Sequence, residues 1–210
     1  MKQRLIIVGA GGLGRELYGL MRVQNDLEWE IHGFLDDNPH ALQGWSLEHR
    51  VVGSMQTYQP KQGEVFLPAI GASKVRLQVC RALRARGAAF ARYIHPDTTI
   101  GEWVELGPGT IVYPGARLTA FITVGAYTLL AYNATVGHDA SIGEGCSLSG
   151  HSEVNGACEL GEGILLGSHA TLLPKVKVGD YAVVAAGSVA VRNVQPHTTV
   201  MGVPARKWLG

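Results

Sequence analysis

Residues 130–148 read LAYNATVGHDASIGEGCSL. Aliphatic side chains stand at Leu130, Val136, Ile142 and Leu148, one every six positions. The beat runs both ways from there, from Ile94 through Ile100, Leu106, Val112, Leu118 and Val124, and on through Val154, Leu160, Leu166, Leu172 and Val178 to Val184. That is 16 anchors in one register. A helix repeats at 3.6 residues and a flat strand at 2, so neither produces this spacing. Glycine follows many anchors, as at Gly101, Gly125, Gly137 and Gly161, and a small residue usually follows four places on, as at Ala134, Ala140, Cys146 and Ser152. A hexapeptide period is the mark of a parallel β-helix, in which each short strand lines one wall of a prism, buries its anchor and turns a corner. About five coils of 18 residues fit the run, stacked at the ~4.8 Å spacing of hydrogen-bonded strands.

The first 90 residues follow a different grammar. RLIIVG, EIHGFLDD and GEVFLPAIG read as strands; GLGRELYGLMRVQ and SKVRLQVCRALRARG read as helices, the second stopped by Gly87. Strands alternating with helices predict a small parallel sheet, a Rossmann-like βαβαβ unit. Residues 37–63 are irregular and predict an extra hairpin or loop. The chain therefore divides into an α/β domain over 1–90, a β-helix over 91–191 and a C-terminal extension over 192–210.

Composition narrows the function classes. Hydrophobic residues make up 46% and charged residues 17%, which describes a folded globular chain. A net charge of +1 offers nothing to attract nucleic acid or an anionic membrane. The apolar run in MKQRLIIVGAGGLGRE is broken by glycines and followed by Arg15 and Glu16, unlike a signal peptide, and no run reaches the ~18 residues of a membrane span. Cys80, Cys146 and Cys158 have neither disulfide-framework nor metal-finger spacing, which points to a reducing, cytoplasmic setting. Cys146 and Cys158 fall on the small inward place of their hexads and read as structural thiols.

Two motifs can carry chemistry. Gly9, Gly11 and Gly14 satisfy G-x-G-x-x-G between a strand and a helix, with Asp36 at the end of the next strand. Such glycines let a phosphate approach backbone amides, and the carboxylate reads a ribose or base; a tight packing turn is the competing reading. With only ~90 residues before the β-helix there is no second mononucleotide half for a dehydrogenase, so a nucleotide-sugar site is the better use. His138 and Asp139 follow the corner glycine Gly137, on hexad places that point outward, and the 18-residue coil stacks Ala120, Gly156 and Pro174 in line with His138. An outward histidine beside a carboxylate and a bare glycine suits a general base. A second column holds Asn133, His151 and His169.

VGAGGLGRE, FLDD, AIG, YIHP, GHDASIGEG and GVPAR together resemble the bacterial sugar acetyltransferases, a family that includes nucleotide-sugar N-acetyltransferases and sialic-acid O-acetyltransferase-like proteins. The resemblance implies a left-handed β-helix, a homotrimer with active sites between adjacent β-helices, and acetyl-CoA as co-substrate. It makes His138 the base and Asp139 its orienting partner. It places the nucleotide sugar on Gly11, Gly12, Leu13, Asp36, Asp37 and Gly71, and acetyl-CoA on Gly156, Ser168 and Ala186; no metal is implied. Arg206 and Lys207 are candidates for a coenzyme phosphate, or ordinary solvated charges. Two positions depart from the family pattern: Ser147 and Leu13 stand where relatives often carry histidine, and His151 is a candidate for the vacated role. Transfer to a sugar amine is the expected reaction. Transfer to a hydroxyl, a non-catalytic nucleotide-sugar binder, and a zinc lyase of the gamma-carbonic-anhydrase type using His138, His151 and His169 remain open.

Overall fold

The computed structural model describes residues 2–208. They form two compact units, the first ending at Ala91 and the second beginning at Arg92.

The first unit is a five-stranded parallel sheet with helices. In chain order its elements are β1 (Gln3–Val8), α1 (Gly12–Arg22), β2 (Trp29–Leu35), β3 (Val51–Gly53), β4 (Glu64–Pro68), α2 (Ser73–Ala85) and β5 (Ala89–Phe90). The strand order is β3-β2-β1-β4-β5. Leu5, Ile6, Ile7 and Val8 are all fully buried, as a central parallel strand requires. Helix α1 buries Gly14, Leu17, Tyr18 and Met21, spaced three and four apart on one face. Helix α2 ends where Gly87 adopts φ +94°; Gly87 N–H donates to Arg84 O and Ala88 N–H to Leu83 O, the paired bonds of a Schellman stop.

Residues 37–63, expected to hold a hairpin or loop, are a loop that carries a single short strand. β3 lies parallel to β2, with Phe34 opposite Val51. A parallel partner needs a crossover, and residues 36–50 supply it as a string of turns instead of a helix. Its two-to-three-residue contact is too short to alternate visibly, so the sequence carries no strand pattern there. The same brevity hides β5.

The second unit is the expected left-handed parallel β-helix. Its strands form three ladders of six, five and eight. Partners are 18 residues apart: Leu118 pairs with Val136, Val136 with Val154, Val154 with Leu172 and Leu172 with Ala190. Anchors from Val112 to Val184, with the small inward residues Ala134, Cys146, Cys158 and Ala170, fill one continuous core. Ile94 is an exception. It pairs with Val112 yet is 42% exposed, because the first coil has a neighbour on one side only. At the other end the chain leaves the six-residue period, but Thr199–Met201 still adds to one ladder beside Val183 and Val184, and Arg206–Lys207 folds back antiparallel on it.

The corners show what the period alone conceals. Corner residues one coil apart share the left-handed backbone region, among them Trp103, Phe121 and Asp139 on one edge and Asn133, His151 and His169 on another. Outside glycine, asparagine and aspartate this conformation costs roughly 1–2 kcal/mol per residue. Each is held by the coil before it: Asp139 N–H donates to Ala120 O and His151 N–H to Tyr132 O. Side chains on these edges stack, as Trp103 on Phe121 and His151 on His169, with ring centres 4.5 and 4.8 Å apart.

Candidate active site

The His138 corner is built by alternation. Val136 and Ala140 point into the prism and are buried, so the two residues between them after Gly137 must face out. Asp139 takes φ +60°, a conformation aspartate tolerates better than most side chains. His138 Nδ1 lies 2.7 Å from Asp139 Oδ2, and the two side chains are 68% and 59% exposed. A carboxylate only accepts, so Nδ1 carries the proton and the lone pair of the neutral ring sits on Nε2. One coil on, a Cβ on Gly156 would lie 2.7 Å from Nε2 and 2.8 Å from Cε1. The imidazole therefore rests on bare backbone, a contact only glycine allows. Backbone bonds tie the layers together, Ala157 N–H to His138 O at 2.8 Å and Lys175 N–H to Gly156 O at 3.0 Å.

The other residues expected around this corner are placed as follows. Ser168 and Ala186 are exposed one coil apart in the corner turns before His169 and Gly187, and Gly187 N–H donates to Ser168 O. Ser147 is buried within its ladder between Leu129 and Leu165. His151 belongs to the Asn133–His151–His169 edge, where Asn133 Nδ2 lies 3.4 Å from its Nε2; that edge is distinct from the one bearing Asp139. A cavity of about 330 Å³ at the far end of the β-helix is lined by Arg192, Arg206 and Lys207 over Ala190, Val194 and Val200, and does not reach His138. The His138 corner is an open wall.

In the first unit, β1 and β4 are neighbours while their connections diverge, so the carboxyl ends of these strands form a switch point. Gly9 (φ +106°) and Gly14 serve packing, since a Cβ on Gly14 would fall 2.0 Å from Gly9 O. Gly11, Gly12 and Gly71 are different: nothing lies within 4 Å of a Cβ built on any of them. Packing does not demand glycine at these three positions. Asp36 braces the loop, accepting from Ala10 N–H and Asn38 N–H at 2.9 Å each. Asp37 accepts from Ser54 Oγ at 2.6 Å and from Gln56, and the Ser54 bond holds its carboxyl below the usual range. Leu13 is half-buried in the first turn of α1.

Residues 4–83 match the family described as PglD N-terminal domain. A perosamine N-acetyltransferase from Caulobacter crescentus, solved with CoA and GDP-perosamine as a His-to-Asn variant, superposes with a TM-score of 0.89 at 26% identity, covering 98% of this chain and 97% of that one. The acetyltransferase domain of PglB from Neisseria gonorrhoeae gives 0.87 at 26% identity over 99% and 100%. WeeI from Acinetobacter baumannii gives 0.82 at 25% over 97% and 99%. Over its full length the chain is similar to these bacterial sugar acetyltransferases. Both units are covered by these matches, so the two motifs recognised in sequence belong to one architecture. No curated protein sequence matches it.

Sequence reading missed two residues of the glycine-loop region. Arg76 is buried, and its Nη1 donates to Ile70 O at 2.6 Å and Gly71 O at 3.2 Å, holding the β4–α2 turn. An apolar helix face hides such a residue from any pattern. Arg15 closes the first turn of α1 and donates to Ala10 O at 3.1 Å. A cation there opposes the helix dipole, a signal that was available in the sequence.

Proposed function

We propose that the protein transfers the acetyl group of acetyl-CoA to the amine of a nucleotide-linked amino sugar, with His138 as general base and Asp139 as its orienting partner. The observation that carries this is the 2.7 Å His138–Asp139 pair on an outward corner, seated on Gly156. The fold around it matches, end to end, an enzyme solved with CoA and an amino-sugar nucleotide. That enzyme was also solved with a histidine replaced by alanine.

The amine nitrogen attacks the thioester carbonyl carbon while Nε2 of His138 takes its proton. The tetrahedral oxyanion needs a donor. Gly156 N–H has no acceptor among the described residues and is assigned to it. The C–S bond then breaks, and the CoA thiolate leaves with the proton returned by the imidazolium. Asp139 fixes the ring and its tautomer. Gly11, Gly12, Leu13, Asp36, Asp37 and Gly71 serve the nucleotide sugar, supported by the three open glycines and the braced loop. Gly156, Ser168 and Ala186 serve acetyl-CoA, supported by the exposure of the last two. The wall at His138 is too open to exclude water alone, which supports a homotrimer whose neighbouring copy closes the site. No helix among the described residues is long and apolar enough to cross a membrane, and three free cysteines suit the cytoplasm.

The test is His138→Ala, assayed by thiol release from acetyl-CoA over a panel of amino-sugar nucleotides. Loss of roughly 10²–10⁴ in kcat with nucleotide binding retained is expected. An unchanged kcat ends the assignment, and thiol release with no amino-sugar nucleotide by the wild-type chain ends the transferase reading.

A further inference from the structure

This inference rests on the nucleotide-sugar reading of the first unit, in which Asp36 and Asp37 serve the ligand as carboxylates already braced by the protein. Their carboxylate oxygens are already engaged by Ala10, Asn38, Ser54 and Gln56. Two further groups at the glycine loop remain available to a ligand beside them.

The first is Arg15. It sits at the amino end of α1, where the partial positive charge of the helix makes a cation unfavourable, and the first turn holds no acidic residue to offset it. Its interactions are the bond to Ala10 O and a ring contact, with no carboxylate partner among the described residues. A half-buried guanidinium without a counter-ion, pinned to the loop whose Gly11 and Gly12 are open, is complementary to an anion from outside. The second is Trp45. Its ring lies 4.0 Å from the Arg15 guanidinium carbon, and the side chain is 56% exposed. One face is used by Arg15. More than half of the side chain nonetheless remains exposed, although an indole of this size is costly to leave in water. Trp45 lies in the turn-rich crossover that follows Asp36 and Asp37, so the same loop carries the ring to the mouth of the site.

We propose that Arg15 and Trp45 form a nucleotide clamp, the guanidinium bearing on the diphosphate and the exposed indole stacking on the base. The pair is self-supporting: the indole orients the guanidinium by cation–π contact, and diphosphate binding fixes both. Stacking on a planar ring tolerates any base, so the clamp supplies affinity for a nucleoside diphosphate and leaves the choice of base to other contacts.

The test titrates UDP, GDP and dTDP into the full chain, followed by calorimetry and by tryptophan fluorescence. Trp45→Phe keeps an aromatic face; Trp45→Ala and Arg15→Met remove one element each. Affinity should fall roughly tenfold or more in Trp45→Ala and in Arg15→Met, and change little in Trp45→Phe. The wild-type fluorescence quench on binding should vanish in Trp45→Phe, although Trp29, Trp103 and Trp208 remain. With the amino-sugar nucleotide the enzyme uses, Trp45→Ala should raise KM by a similar factor with kcat within about twofold. A merely structural tryptophan would not produce that split. Equal nucleotide affinity in wild type, Trp45→Ala and Arg15→Met overturns the clamp and leaves acetyl transfer standing. Absence of binding of all three diphosphates by the wild-type chain overturns the clamp together with the nucleotide reading of the first unit.

Discussion

Replacing Gly156 by alanine adds one carbon at the point where the His138 ring rests. That carbon would stand 2.7 Å from Nε2, 2.8 Å from Cε1 and 3.3 Å from Cδ2, against ordinary contacts of 3.4 Å and beyond. The ring must retreat by roughly 0.7 Å or more, a displacement of the size that costs about 10²-fold when it moves a reacting group. Retreat draws the ring away from its 2.7 Å bond to Asp139, so the aim of Nε2 is lost. The backbone is not the obstacle. Gly156 lacks a positive φ, and the atoms in the way are the far end of a largely exposed side chain that can swing into solvent. Removing a glycine at a compatible position also lowers the entropy of the unfolded chain, worth about 0.4–1 kcal/mol in favour of the fold.

Activity and stability should therefore move in opposite directions. In Gly156→Ala, kcat for thiol release is expected to drop about a hundredfold while the melting temperature holds or rises slightly. A general loss of structure would lower both. A variant with kcat within threefold of wild type would show that the ring does not need its seat on Gly156, and the reasoning from contact geometry to catalysis would fail.

Three further outcomes follow from other parts of the chain. Asp139→Asn keeps a residue suited to φ +60° and should lose on the order of 10² in kcat with an unchanged melting temperature; Asp139→Ala should lose about 1 kcal/mol of stability as well, read by denaturant midpoint. Ser152 has its hydroxyl sealed in the β-helix core without a hydrogen-bond partner, on an inward place where neighbouring coils carry Ala134 and Ala170. Ser152→Ala should raise stability by about 1 kcal/mol, seen as a melting shift of a few degrees. Burial pushes the Cys80 thiol from 9.0 up to about 12, with Arg76 opposing weakly, and burial also raises Cys158. The folded protein binds that Cys80 proton more tightly than the unfolded chain does. Stability is thus intact below pH 9 and falls as pH climbs from 9 towards about 12, and alkylation at pH 8 should fail until the chain is unfolded. Rapid labelling of the native protein would contradict the buried placement.

The legibility of this chain in sequence tracks how far apart the interacting residues are in a countable repeat. The β-helix register could be read because every coil has the same length, so Gly156 was placed against His138 by adding 18 to a residue number, and the contact is there. The outward direction of the pair followed from the buried places on either side. Where counting stops, so does prediction. The left-handed corners carry tryptophan, tyrosine and histidine as well as glycine, and no side chain of that kind announces its φ in advance. The exposed Ile94 obeys the period and fails only because a stack must begin somewhere. In the first unit the glycine motif showed which turn is tight, but Gly14 turned out to serve packing while Gly11 and Gly12 stand open, a division that needs coordinates. The Arg15–Trp45 contact joins a helix start to an irregular crossover 30 residues away, with no period linking them. Arg15 alone carried a hint, since a cation at the start of a helix whose first turn holds no acid opposes the helix dipole. Residues that are poorly explained by the fold are therefore the ones to ask about binding, and in this chain they gather at Gly11, Gly12, Arg15 and Trp45 in one unit and at His138, Asp139 and Gly156 in the other.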